Sequence, residues 1–174
     1  MNNLENVAND HHHAIRSILR AINFSQGQFS LIFLHCNCVR SHQEIAVKLR
    51  SSYCTKIEEI NLSPSAISLY DNISATMVNI QPYAVMVFGL DAVNNLDLIL
   101  QVSNQIREEF RKKFAFPLFI WIDDQVLRRI IRIAPDLESW STIIDFDQNH
   151  GIEAQSPLGG INWYAGSTIQ LQSP

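Results

Sequence analysis

Three short apolar runs constrain this chain more than any other feature. Residues 29–34, 83–88 and 117–122 are almost unbroken in hydrophobicity, yet each is too short for a comfortable helix. A strand that is apolar at successive positions has no wet face, so it needs cover on both sides, as in a parallel sheet flanked by helices. Residues 56–62 alternate as a half-buried strand would, and 142–146 read as a last strand. The stretches between carry apolar residues at helical spacing. Ile15, Ile18, Leu19 and Ile22 form one such stripe, Ile45, Ala46 and Leu49 a second, and Ile67, Leu69, Tyr70, Ile73 and Met77 a third, opened by Ser63-Pro64. A long helix is expected over 96–114 and another over 125–134. Pro135 then interrupts the pattern, and Asp136 is placed to cap a short helix through Trp140. Five strands alternating with helices predict an α/β fold, a three-layer parallel sheet of about five strands with 83–89 and 117–122 central.

The chain of 174 residues has room for one domain of ordinary size. That domain is expected over 1–146. Residues 147–174, with Gly151, Gly159, Gly160, Gly166, Pro157 and Pro174 and no helical period, read as a tail or linker in which Ile161-Asn-Trp-Tyr164 has the composition to dock or pair as an edge strand. A net charge of −4 gives no general attraction to nucleic acid or anionic membranes. The first residues lack a basic and apolar leader, and no run reaches the ~18 apolar residues of a membrane span, so a cytoplasmic protein with no membrane partner is expected. Cys36, Cys38 and Cys54, odd in number and sparse, fit a reducing compartment better than a disulfide framework.

Residues 104–124, which run from a basic helix into the tryptophan-ended strand and Asp123-Asp124, together with Ala134-Pro-Asp-Leu-Glu-Ser-Trp140 and Ile144-Asp-Phe146, carry a family likeness. They resemble the end of the P-loop NTPase-like (STAND or AAA-like) domain at the N-terminus of bacterial multidomain proteins, which often bear tetratricopeptide or WD repeats downstream. The likeness spans 29–146. It implies that the first strand leads to the position of the phosphate loop, the third to that of the Walker B acid and the fourth to a sensor position, with the first strand between the third and fourth. Here those strand ends carry His35-Cys-Asn-Cys-Val-Arg40, Gly89-Leu-Asp91 and Asp123-Asp124.

A phosphate loop requires glycines, converging backbone amides, a lysine for the terminal phosphates and a hydroxyl for magnesium, written G-x-x-x-x-G-K-[ST]. No such string occurs, and between Leu34 and Glu44 there is neither glycine nor lysine. The expected function is therefore a catalytically inactive NTPase-like module that works as a protein interaction or regulatory domain of a larger protein, with a protein partner and no cofactor. One alternative is an ATPase with a divergent loop, using Arg40, Ser41, Asp91 and Asp124. A second is nucleic-acid binding through Arg107, Arg111, Lys112, Lys113, Arg128, Arg129 and Arg132, although Glu108, Glu109, Asp136 and Glu138 are interleaved with them as on an ordinary solvated face.

Other constellations are weaker. His35, Cys36, Cys38 and His42 are metal-capable, but strand alternation separates His35 from the cysteines, so buried free thiols are the expectation and no metal is assigned. His11, His12 and His13 splay about 100° apart on a helix and read as a solvated turn. For Asp123 or Asp124, capping of the following helix is the expected role. No nucleophile elbow or catalytic triad spacing is present.

Overall fold

The computed structural model describes residues 3–52, 57–78 and 80–146. The expected tail, 147–174, lies outside the described residues. Five strands, β1 (Ser30–His35), β2 (Ile57–Asn61), β3 (Ala84–Phe88), β4 (Pro117–Ile122) and β5 (Ser141–Asp145), form one sheet in the order β2-β3-β4-β1-β5. Every pairing is parallel. No helix among the described residues is long and apolar enough to cross a membrane.

Two helical layers cover the sheet. Helix α1 (Asn3–Phe24) and α2 (Val39–Ser52) lie on one face, where Ile18, Ile22, Ile45 and Leu49 meet Ile32, Leu34, Met86, Phe119 and Trp121. The other face carries α3 (Leu69–Thr76), α4 (Leu96–Gln105), α5 (Arg107–Lys113), α6 (Asp124–Ile133) and α7 (Pro135–Ser139), packed on Phe33, Val85, Val87, Leu118 and Ile120. Adjacent residues of β1, β3 and β4 thus enter opposite layers, which is why those strands read as continuous apolar runs. All six residues of β4 are buried.

The strand order corrects one expectation: β1 lies between β4 and β5, not between the third and fourth strands. Burial gives the reason. The strand that is apolar throughout takes the middle, while β2, with Glu58 and Glu59, and β5, with Thr142 exposed, take the two edges where water solvates polar positions.

Local chemistry moved several boundaries. Ser63-Pro64 forms a turn, and α3 starts later, where the Ser68 hydroxyl accepts from the Asp71 amide at 3.1 Å. The expected helix over 96–114 breaks at Ile106, so α4 and α5 are separate. Asp136 does not cap α7; Pro135 occupies the first turn, where its missing N–H costs no hydrogen bond. At the end of β3, Gly89 has φ of 80°, and a Cβ there would stand 3.2 Å from the Leu62 carbonyl oxygen. Backbone conformation and close approach both call for glycine.

Candidate functional site

Chain direction across the sheet changes at the β4/β1 boundary. The connection after β1 runs through α2 on one face, and the connection after β4 runs through α6 on the other. In open α/β sheets, ligands bind at such a switch point, beyond the carboxyl ends of the strands. The residues delivered here are His35 from β1, Asp123 and Asp124 after β4, and Asp145 from β5.

They bond to one another. His35 Nε2 lies 2.8 Å from Asp124 Oδ1, and Nδ1 lies 3.2 Å from Asp145 Oδ1. The ring itself is buried. A carboxylate only accepts, so satisfying both at once takes a proton on each ring nitrogen. The Asp124 amide donates to Asn37 Oδ1 at 3.0 Å, which ties the start of α6 to the segment after β1. Hydrogen bonding to His35, and then to Asn37, holds the Asp124 carboxyl below its ordinary range; the charges of His35 and Arg128 add to the effect. Asp123 caps α6, its Oδ1 accepting from the Val126 amide at 2.8 Å. The ends of β1, β4 and β5 are therefore clasped through side chains.

The segment joining β1 to α2 is only Cys36-Asn37-Cys38. Cys36 is buried, with its thiol 3.6 Å from the Cys38 carbonyl oxygen. His42 Nε2–H donates to the Cys36 carbonyl at 3.0 Å, and its ring stacks on Trp121 with centroids 4.3 Å apart. No group of three metal-capable side chains gathers among the described residues.

A second feature sits one strand over. A cleft of about 500 Å³ opens between the segment after β3 and the start of α6, lined by Asp91, Asn95, Asp97, Asp123 and Arg129 among others. Arg129 forms an ion pair with Asp97 beside this cleft, bridging α6 to α4. The four residues of the divergent-ATPase alternative are distributed unevenly. Asp91 borders the cleft and Asp124 is engaged by His35. Arg40 and Ser41 are in the first turn of α2, their side chains outside the described residues.

The basic residues are largely neutralised within the chain. Arg111 pairs with Glu108 at 2.7 Å, Lys112 with Glu109 at 2.8 Å, and Arg107 with Asp136 at 3.3 Å. Arg107 and Arg111 also lie over the Trp140 ring, and Lys113 over Tyr70. Sequence reasoning missed the His35–Asp124–Asp145 clasp, because its members are 89 and 110 residues apart and only strand order brings them together. The histidine closing an apolar strand was its one signal.

No protein-family model matches the chain, and no curated protein matches it as a relative.

Proposed function

We propose that this chain is an NTPase-shaped module that neither binds nor cleaves a nucleotide and serves as a protein interaction or regulatory domain of a larger protein. The observation that carries the reading is the three-residue connection between β1 and α2. A phosphate loop curls several glycine-permitted residues around the anion before its helix begins. Cys36-Asn37-Cys38 has neither the length nor the glycines for that curl. The His35 clasp supports the same reading, since groups that would face phosphate and magnesium are bonded to the protein itself.

Charge-assisted contacts in a phosphate loop contribute roughly 1.5–3 kcal/mol each. Losing the lysine and several amides removes about 4 kcal/mol or more, on the order of a thousandfold in affinity. Isothermal titration with magnesium-ATP or magnesium-GTP at about 1 mM should give no saturable heat. A micromolar isotherm that disappears in Arg40→Ala would overturn the reading in favour of the divergent ATPase. For the interaction role, affinity capture from the native organism should return one stoichiometric protein partner.

A further inference from the structure

His35 is gripped from two sides, and the two grips are unequal. Its side chain is 10% exposed, whereas those of Asp124 and Asp145 are 51% and 41% exposed. Water therefore keeps both carboxylates ionised, while the ring between them depends on those carboxylates for its hydrogen bonds. The contact at Nε2, 2.8 Å from Asp124, is closer than the contact at Nδ1, 3.2 Å from Asp145. The His35 hydrogen bond is also the chief cause that lowers the Asp124 carboxyl, in keeping with the tighter grip on that side.

Phe33, two residues earlier, packs into the layer of α3 to α7, so the His35 side chain leaves the sheet on that face. Among the described residues, the charged groups that meet it there come from two elements. From α6 comes Asp124, with the charge of Arg128 acting on it from further along the helix; from β5 comes Asp145. Asp123 is turned to the Val126 amide, and Asn37, which binds the Asp124 amide, carries no charge. On β4 the register partner is Ile122, a buried apolar residue. The Cys36 side chain and His42 belong to the opposite face, where His42 stacks on Trp121.

A neutral imidazole carries one N–H and one bare nitrogen, so it can bond only one of two ionised carboxylates; the other then faces a lone pair. We propose that His35 is a proton-operated latch: with both ring nitrogens protonated it fastens the end of β5 to β1 and to the start of α6, and loss of the Nδ1 proton to water frees Asp145 from His35 while Asp124 stays held. Histidine is the side chain that changes charge within the physiological pH range, which suits it to such a device. The end of β5 is the part that loosens, because Asp145 is its last residue and the next amide, that of Phe146, donates to the His35 carbonyl at 2.9 Å. On the other side, β1 stays joined to β4 through the Cys36 amide, which donates to the Ile122 carbonyl at 3.0 Å. The latch does not depend on the reading of the crevice as nucleotide-free, since all of its groups belong to the protein itself.

Nitrogen NMR of the histidine rings in the full chain tests it, with the His35 signals assigned by their loss in His35→Gln. At about pH 5 both ring nitrogens of His35 should be protonated; at about pH 8 Nδ1 should have lost its proton and Nε2 kept it. Between the same two pH values the hydrogen-exchange protection factor of the Phe146 amide should fall about tenfold, as expected for losing one charge-assisted bond to a half-exposed carboxylate. That of the Cys36 amide should stay level. Asp145→Asn separates the latch from a general loss of stability. A carboxamide accepts from a protonated Nδ1 and donates to a bare one, so in this variant Phe146 protection should no longer vary with pH. An Nδ1 that stays protonated throughout, or an Nε2 that loses its proton first, overturns the proposal. So does Phe146 protection that is level in the wild type, or that still falls with pH in Asp145→Asn.

Discussion

Asp124 shows how one side chain's duties divide in this site. Its backbone amide binds Asn37 and its carboxylate binds His35, so a single residue fastens α6 to the segment after β1 and to the end of β1. The carboxyl titrates below its ordinary range, chiefly through the His35 hydrogen bond. A carboxyl whose folded pKa lies below its unfolded value near 3.9 contributes stability above that value, and the contribution disappears as pH falls through the folded pKa. Asp124→Asn should accordingly lower the midpoint of urea unfolding at pH 7 and lower it by less at pH 3, below the unfolded pKa. An equal loss at both pH values would show that shape, rather than charge, accounts for the effect.

Among the secondary elements, the break between α4 and α5 has a structural consequence beyond the boundary itself. Asn104, near the end of α4, accepts from the Leu137 amide through Oδ1 at 2.8 Å and approaches Asp136 through Nδ2 at 3.4 Å. Arg107, at the first position of α5, donates to the Asn104 carbonyl and pairs with Asp136. The turn at Ile106 thus aims two polar side chains at the start of α7, a short helix with no side-chain cap of its own. Asn104 supplies from another element what a cap would supply locally. Asn104→Ala should cost roughly 1–2 kcal/mol in chemical denaturation, because it leaves the half-buried Leu137 amide without a partner. A change under ~0.3 kcal/mol would mean that water replaces the bond fully.

Across the whole molecule, β4 joins the two layers. Phe119 and Trp121 enter the α1/α2 layer, while Leu118 and Ile120 enter the layer of α3 to α7. His42, Phe88 and Phe146 surround the Trp121 ring, so α2, β3 and the end of β5 all depend on one fully buried side chain. Because both cores share the same strand, they should melt together. Phe119→Ala and Ile120→Ala, one on each face, should each lower a single thermal transition, with losses of about 3–5 and 2–5 kcal/mol respectively. Two separable transitions in either variant would show that the layers unfold independently.

The amino-acid sequence alone determined the α/β class, the five strands to within a residue or so and the absence of a phosphate-loop string. Each of these rests on short-range signals: apolar runs in 84–88 and 117–122, helical spacing in 15–22, and the residue types between Leu34 and Glu44. The helix starts at Leu69 and Pro135 and the break at Ile106 were less legible, since Ser63-Pro64 read as a helix start and only the folded structure puts the cap at Ser68. Tertiary structure alone decided that β4 lies between β1 and β3. The apolar run of β4 and the polar positions of β2 and β5 mark middle and edges, but the order of β1 and β3 about β4 depends on competition for burial among segments far apart in sequence, which no local pattern records. That order places His35 between Asp124 and Asp145, and it puts β5, with Ile143, last in the order of the described strands. Both features arise from contacts between residues that only the closed sheet brings within hydrogen-bonding reach or to its margin.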